Sequence, residues 1–301
     1  MSTTPFDPKD LPGLAKKVIL ITGGTAGVGA ATLVTLARHN LAHLLFTGRN
    51  GDSAKTSIAN VRKFTPDINI TFIQCDLANL DSVEAASTNI SSQLTHLDVL
   101  VCNAGIMAKP AALSSDGYET HFATNHLGHA LLARKLIPVL QKSSSPRIVM
   151  VTSVAWRGTP PGGIAFDRLK TTQEMPILGR WLRYGQSKLA NMLYARELAK
   201  KYPDILAFSI TPGVVETGLV TDLGKWDKAL VYIPNVGRVK TVEQGTHNLL
   251  WAIFVDKNEV ERGAFYEPVG KKSNMETSAS KNPVLGERLW DWTENELERF
   301  M

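Results

Sequence analysis

The sequence predicts an α/β protein with a doubly wound, mostly parallel sheet of seven strands and helices on both faces. Short apolar, β-branched runs alternate along the chain with segments of helical, 3.6-residue periodicity. Several runs are apolar at successive positions, which is typical of parallel strands whose two faces are both covered by helices. No linker rich in Pro, Gly or Ser divides the chain, so we expect residues 1–301 to form a single domain.

Seven segments have the composition and length of strands. They are Val18–Thr22, Leu44–Thr47, Ile70–Cys75, Val99–Asn103, Ile148–Ser153, Ala207–Thr211 and Ala264–Val269. The helical segments between them include Ala30–His39, Leu127–Leu140 and Gln186–Lys201. Strands that alternate with helices in this way form βαβ units, which place the carboxyl ends of the strands along one edge of the sheet.

Charge and composition argue against several classes of function. The formal net charge is +5 and the basic residues are scattered, so we expect no nucleic-acid partner and no polybasic membrane anchor. No stretch has the roughly 18 consecutive apolar residues of a membrane span. The segment Met1–Asp10 lacks the features of a signal peptide. Two cysteines, Cys75 and Cys102, are expected to be small buried hydrophobes, and this low count favours a reducing, cytoplasmic location.

A glycine-rich turn follows the first predicted strand and leads directly into a helix. Its spacing is T-G-x-x-x-G-x-G, from Thr22 to Gly29. Glycines at such a turn let backbone N–H groups approach a pyrophosphate, which the positive end of the helix attracts. The sequence therefore predicts a dinucleotide site, whose first residues are Gly23, Thr25, Gly27, Val28 and Gly29.

Further motifs follow this turn in a fixed order, and together they resemble the short-chain dehydrogenase/reductase family from about residue 16 to residue 270. The motifs are Asp76, Asn103-Ala104-Gly105, Asn125, Ser153, Tyr184-x-x-x-Lys188, Pro212-Gly213 and Thr217. Within that family, the amino-acid sequence of residues 117–129 is most similar to the retinol dehydrogenase and WW-domain oxidoreductase branch. The resemblance implies a Rossmann-type fold, with a cofactor half of about 16–150 and a catalytic and substrate half of about 151–301.

The resemblance also implies which residues surround a nicotinamide cofactor. Asp76 and Leu77 would lie beside the adenine, although Asp76 could equally be a helix N-cap or turn residue. The loop after the fourth strand would lie beneath the ribose and nicotinamide, and a later loop would hold the nicotinamide end. The residues of these two loops are Asn103, Ala104, Gly105, Pro212, Gly213 and Thr217.

The end of the second strand predicts which nicotinamide nucleotide is used. An acidic residue there would bind the ribose 2′-hydroxyl of NAD, whereas an arginine would bind the 2′-phosphate of NADP. The chain has Arg49 and no carboxylate in the turn Thr47–Asn50. A fixed positive charge with several donors suits a phosphate, so NADP(H) is favoured over NAD(H).

Four residues carry the catalytic roles that the resemblance implies. Tyr184 would exchange a proton with the reacting oxygen, and Lys188, one helical turn later, would lower the pKa of Tyr184 and bind the nicotinamide ribose. A unit charge about 4 Å away at a dielectric of 20 contributes roughly 4 kcal/mol, enough to lower a phenol pKa by up to about 3. Ser153 would hydrogen-bond the reacting oxygen, and Asn125 would hold a water in a proton relay.

Two irregular segments follow the carboxyl ends of strands and are candidates for substrate contact. Ala155–Tyr184 is rich in Pro and Gly, and Val214–Lys240 mixes large apolar residues with turn residues, which suggests a hydrophobic small-molecule substrate. Neither segment brings metal-ligand spacing, and the histidines are not grouped as ligands, so no metal is expected.

Three functions remain open from the sequence. The first is a hydride-transferring enzyme acting on a carbonyl or alcohol, with reduction favoured because NADPH usually supplies reduction. The second is a non-catalytic NADP(H) sensor, which the intact Tyr184 and Lys188 disfavour. The third is a dehydration or cyclisation on the same scaffold. The resemblance also implies a possible homodimer through the helices that carry Asn125 and Tyr184.

Overall fold

One eight-stranded sheet organises the computed structural model, which describes residues 14–301. The strand order is 3-2-1-4-5-6-7-8, and every pair from β3 to β7 is parallel. The strands are β1 Val18–Thr22, β2 His43–Gly48, β3 Ile70–Gln74, β4 Val99–Cys102, β5 Arg147–Val151, β6 Leu206–Ile210, β7 Phe265–Glu267 and β8 Lys271–Lys272. The expectation about Met1–Asp10 lies outside the described residues.

The predicted number of strands was one too low. β8 pairs antiparallel with β7 and consists of two exposed lysines, which give no apolar pattern that marks a strand. The chain reverses between the two strands at Gly270, whose φ is +65°, a value that suits glycine.

Residues 14–301 contain eleven α-helices, of which the last two follow β8. They are α1 Gly27–Leu36, α2 Gly51–Arg62, α3 Leu80–Gln93, α4 Thr120–Phe122, α5 Gly128–Leu140, α6 Gly179–Lys201, α7 Gly218–Thr221, α8 Lys225–Tyr232, α9 Val242–Phe254, α10 Ser278–Lys281 and α11 Pro283–Leu297. None of these helices is both long enough and apolar enough to cross a bilayer.

Two apolar cores lie on opposite faces of the sheet, which confirms the doubly wound α/β prediction. In β1, Leu20 packs into the core beneath α3, α5 and α6, whereas Ile19 and Ile21 pack into the core beneath α1, α2 and α9. Because successive side chains of a strand point to opposite faces, a strand covered on both sides is apolar at every position.

Two helical segments begin earlier than the sequence pattern suggested. α6 begins at Gly179, ahead of the expected start at Gln186, and Tyr184 lies inside it one turn before Lys188, as expected. Ahead of α5, residues Ala123–Leu127 form a π-helix that contains Asn125. Apolar periodicity cannot reveal that five residues beside an α-helix have the wider turns of a π-helix.

The strand order places a crevice at one edge of the sheet. The chain winds outwards from β1 through β2 to β3, and then returns to start β4 on the other side of β1. The loops after β1 and β4 therefore diverge to opposite faces at their carboxyl ends. Open α/β sheets bind ligands at such a switch point.

Candidate active site

A cavity of about 690 Å³ opens at this switch point, beyond the carboxyl ends of the strands. It is lined by every residue that the sequence analysis assigned to the cofactor or to catalysis, with the exception of Asn125. These residues are Gly23, Thr25, Gly27, Val28, Gly29, Arg49, Asp76, Leu77, Asn103, Ala104, Gly105, Ser153, Tyr184, Lys188, Pro212, Gly213 and Thr217. The fold thus brings residues from six strand ends to one wall.

The glycine turn has the features of an anion site. Gly23 and Gly27 have φ values of +74° and +55°, which allow the tight reversal into α1. Ala26 at the N-cap of α1 offers no side chain to the free N–H groups, and the first turn of the helix contains no acidic residue. Uncapped N–H groups at the positive end of a ten-residue helix fit a pyrophosphate.

The loop after β4 braces this turn from behind. The Asn103 side-chain amide donates to the Thr22 carbonyl at 2.8 Å, and a Cβ on Gly29 would lie 2.8 Å from the same amide nitrogen. The backbone N–H groups of Asn103 and Ala104 both donate to the Thr22 hydroxyl at 2.9 Å. Thr22 opens the glycine motif, but its side chain points away from the turn, and the sequence analysis assigned it no role.

Arg49 and Asp76 lie at the ends of neighbouring strands on the cavity wall. Arg49 is exposed, and its guanidinium pairs with no carboxylate among residues 14–301, so its donors are available to a ligand. Asp76 accepts from the Ala78 N–H at 3.0 Å, which makes it a turn residue, while Asn79 is the N-cap of α3. Asp76 also lines the cavity, so the turn and cofactor interpretations are compatible.

Ser153, Tyr184 and Lys188 converge on the cavity from β5 and α6. The Tyr184 ring centroid lies 5.8 Å from the Lys188 Nζ, and the Ser153 side chain is near enough to the Tyr184 hydroxyl to affect its pKa. Lys188 Nζ donates to the Val151 carbonyl at 3.1 Å. A Cβ on Gly105 would lie 3.4 Å from Lys188 Nζ, so glycine there keeps the ammonium open to the cavity.

The expected lowering of the Tyr184 pKa by Lys188 stays a prediction, because burial has the larger effect. Burial raises the pKa of Tyr184 to about 12, and the nearby Ser153 hydroxyl only partly opposes this change. Burial also lowers the pKa of Lys188 to about 8, since the ammonium has no carboxylate beside it. Desolvation dominates the pKa values of both groups, and the expectation from a charge at about 4 Å did not include it.

Asn125 lies behind the cavity wall and is fully buried. Its Oδ1 accepts from the Ile106 N–H at 2.8 Å, and its Nδ2 donates to the Ile106 carbonyl at 3.0 Å. Nδ2 also donates to Ser187 Oγ at 2.9 Å. Asn125 therefore ties a cavity-lining loop to α6, the helix of Tyr184 and Lys188.

The outer part of the cavity is largely apolar. It is walled by residues of both irregular segments and of the loop after β4, most of which the sequence analysis did not single out: Ile106, Met107, Val154, Trp181, Leu219, Leu230 and Val231. The Trp181 ring lies 6.4 Å from the Tyr184 ring, and its Nε1 donates to Asp227 of α8 at 2.8 Å. Asp227 also pairs with Arg180 at 2.7 Å, so side-chain contacts join α6 to α8. Trp181 precedes Tyr184 by one helical turn, and this spacing could have predicted that it lies near the cavity.

Two buried histidines outside the cavity lining have structural partners. His121 bonds Glu119 at 2.7 Å, and His126 bonds Thr293 at 3.0 Å. Cys75 and Cys102 are buried free thiols, and burial raises the pKa of both. Within residues 14–301, no three histidines, cysteines or carboxylates are grouped so that they could hold a metal ion.

The uncapped glycine turn and the Ser153–Tyr184–Lys188 group share one cavity, an arrangement that defines a nicotinamide-nucleotide oxidoreductase. A sequence profile described as short chain dehydrogenase matches residues 17–166. Short-chain dehydrogenase/reductase drtF of Aspergillus calidoustus is 35% identical, over 98% of each chain. Retinol dehydrogenase 11 of Mus musculus is 30% identical, over 93% of this chain and 85% of that protein. This chain belongs to the short-chain dehydrogenase/reductase family.

The solved structures agree with this assignment. The crystal structure of an uncharacterized protein from Mycobacterium Paratuberculosis superposes with a TM-score of 0.75 and 28% identity, over 98% of each chain. The expected family membership and the similarity to retinol dehydrogenases are therefore confirmed.

Proposed function

We propose that this protein is an NADP(H)-dependent reductase that converts a carbonyl of a hydrophobic small molecule into an alcohol, in the cytoplasm. The observation that carries the proposal is the single cavity that joins the glycine turn, Ser153, Tyr184 and Lys188. The apolar outer wall supports a hydrophobic substrate. The similarity to a protein named for retinol, a hydrophobic alcohol, points to the same class.

Arg49 supports the choice of nucleotide. Its guanidinium is unpaired among the described residues and lies on the cavity wall at the end of β2. The carboxylates that line the cavity, Asp76 and Asp222, belong to other segments. A 2′-phosphate would find a bidentate donor at Arg49, whereas a bare 2′-hydroxyl would find no acceptor at this strand end.

The chemistry that a bound nicotinamide supplies is transfer of a hydride, with its two electrons, to the carbonyl carbon. The Tyr184 hydroxyl donates the proton that the carbonyl oxygen gains, and Ser153 donates a hydrogen bond to that oxygen. Because its pKa is raised to about 12, Tyr184 holds its proton at neutral pH, which is the form that reduction requires. Lys188 would bind the ribose hydroxyls, and Asn125 would hold the relay water while it fixes Ile106.

The test follows NADPH absorbance with a panel of ketones, aldehydes and quinones. Tyr184→Phe is expected to lower kcat by about 10²–10⁴-fold, the usual contribution of a positioned proton donor. It should still bind NADPH in a fluorescence titration, because the phenol oxygen is one contact among many. Tyr194→Phe is the matched control, since Tyr194 is a buried tyrosine of α6 outside the cavity lining.

Two outcomes contradict the proposal. Near-normal turnover by Tyr184→Phe with every carbonyl would remove Tyr184 from the mechanism. Binding of NADPH without Tyr184-dependent oxidation of it by any compound would favour the sensor or the non-redox reaction.

A further inference from the structure

His129 is a fully buried residue of α5 that has no part in the chemistry described above. Its ring lies between two segments of the site. Nδ1 is 3.0 Å from the backbone carbonyl oxygen of Asn125, and Nε2 is 2.8 Å from the Thr22 hydroxyl oxygen. The imidazole therefore spans from the π-helix to the end of β1.

The partners of the ring determine where its proton lies. A carbonyl oxygen can only accept, so Nδ1 must carry the hydrogen that is donated to Asn125. Burial lowers the pKa of His129 to about 4, so the ring is neutral at physiological pH and Nε2 is bare. Nε2 then accepts the hydroxyl hydrogen of Thr22.

The direction of the Thr22 hydroxyl follows from this tautomer. The alternative acceptor for its hydrogen, the Val101 carbonyl, is 3.5 Å away, much farther than Nε2. With the hydrogen directed to Nε2, both lone pairs of the Thr22 oxygen are free for the N–H groups of Asn103 and Ala104 at 2.9 Å. These two residues line the cavity beside the glycine turn.

Nδ1, at the other end of the ring, bonds the backbone of a π-helix. Asn125 lies in the π-helix Ala123–Leu127, and π-helical turns are rare and concentrate at functional sites. His129 follows Asn125 by four residues and offers its side-chain N–H to the carbonyl at that position. One neutral ring thus holds the segment of Asn125 and the loop of Asn103 in a fixed relation.

We propose that His129 is a positioning residue of the cofactor site, which as the Nδ1–H tautomer orients the Thr22 hydroxyl and so holds the Asn103-Ala104 loop against the glycine turn. The inference rests on the proposed nucleotide-binding function of this cavity. It predicts that loss of the imidazole weakens cofactor binding although His129 touches no part of the cavity.

The first experiment is a binding measurement with NADPH as the probe. His129→Phe keeps an aromatic ring but removes both hydrogen bonds, so we expect the Kd, from a fluorescence titration, to rise about tenfold. The matched control is His126→Phe. His126 is also buried, three residues earlier, but bonds Thr293 of α11. The control is expected to change Kd by less than about twofold at a similar loss of stability.

A double-mutant cycle assigns the effect to the Thr22 contact. Because Thr22→Val and His129→Phe remove the same network, their effects on Kd should be clearly less than multiplicative when combined. Multiplicative effects, or equal weakening by His129→Phe and His126→Phe, would overturn the proposal.

The second experiment determines the histidine tautomer in the wild-type chain without added cofactor. Two-bond ¹H–¹⁵N NMR spectra of the histidine-labelled wild-type chain at neutral pH should show a ring with protonated Nδ1 and bare Nε2 in addition to that of His121, whose Nδ1 donates to Glu119 and whose Nε2 accepts from the Lys109 N–H. Its assignment to His129 comes from its loss in His129→Gln. An Nε2–H tautomer, or a ring that titrates near neutral pH, would overturn the proposal. Failure of the wild-type chain to bind NADPH would instead contradict the proposed function, and would leave the tautomer result intact.

Discussion

Lys188 combines a functional position with an energetic cost. It is 4% exposed, and burial lowers its pKa to about 8 from the usual 10.5. Below pH 8 the lysine is charged in both the folded and the unfolded chain, so the folded chain bears the full cost of burying the charge. Between pH 8 and 10.5 the folded chain releases the proton first and the cost decreases, and above 10.5 it is gone.

Replacement of Lys188 by methionine is therefore expected to stabilise the protein while abolishing turnover. At pH 7 the gain in the free energy of unfolding should reach about 3 kcal/mol, and it should shrink towards zero by about pH 10.5. The Val151 carbonyl still accepts from Asn191 Nδ2 at 3.3 Å, so it is not left unpaired. Urea unfolding at pH 7 and pH 10 measures this difference, and a variant less stable than the wild type at pH 7 would contradict it.

The proposed preference for NADP(H) also rests on a single side chain. Arg49→Asp should weaken binding of NADPH by about 10- to 100-fold, since a charge-assisted contact to a phosphate is lost, and should leave NADH binding nearly unchanged. Arg62→Asp makes the same charge change at an exposed position of α2 outside the cavity lining. Ratios of kcat/KM for the two nucleotides give the result, and an unchanged ratio in Arg49→Asp would refute the role.

At the scale of elements, the position of α6 depends on a backbone-to-backbone contact. A Cβ on Gly185 would fall far inside the contact distance of the Gly158 and Ala155 carbonyl oxygens. These oxygens belong to the turn after β5 that carries Ser153. Glycine beside Tyr184 therefore lets α6 lie directly on the turn that carries Ser153.

Gly185→Ala is accordingly expected to displace α6 or to unfold the protein, with a loss of several kcal/mol, as in severe overpacking. Gly158→Ala is the matched control, because its Cβ would meet only the Ala155 carbonyl oxygen at 3.7 Å, an ordinary contact. Thermal unfolding measures the midpoint temperature of both variants. Equal midpoints would show that the position of α6 does not depend on this close backbone contact.

At the scale of the whole molecule, the C-terminal helix α11 covers the helices through which the family resemblance suggested a homodimer. Trp290 of α11 stacks on Tyr194 of α6 with centroids 5.2 Å apart, and Glu294 pairs with Arg134 of α5 at 2.8 Å. The outer sides of α5 and α6 are thus already buried within the chain. We also propose that residues 1–301 act as one domain, because both halves add strands to the same sheet.

Because α11 packs on α5 and α6, we expect the protein to be a monomer in solution. At about 10 µM, sedimentation velocity should show a single 301-residue chain, because the apolar face that would pair is occupied by α11. A truncation after Asn282 should self-associate, as it exposes the faces of Tyr194 and Leu198. A stable dimer of the full-length chain would show that a different surface pairs.

Local patterns were sufficient for much of the fold and of the candidate site. Residues such as Gly23, Asn103 and Tyr184 stand in motifs whose order along the chain could be read directly. The strand β8, with two exposed lysines, and the π-helix around Asn125 gave no periodic signal. Trp181 and Thr22 could not be assigned, because their roles depend on contacts with Asp227 and Ala104, far away in the chain.

By itself, the sequence determined the alternation of strands and helices, the glycine turn, and most of the residues that line the candidate site. These depend on periodicity and on short spacings, which are local properties. Only the tertiary structure decided the protonation states of the buried side chains at this site. Burial raised the pKa of Tyr184 and lowered that of Lys188, and the Asn125 carbonyl, which can only accept, sets the proposed tautomer of His129. Desolvation depends on everything packed around a group, and no spacing along the chain encodes it.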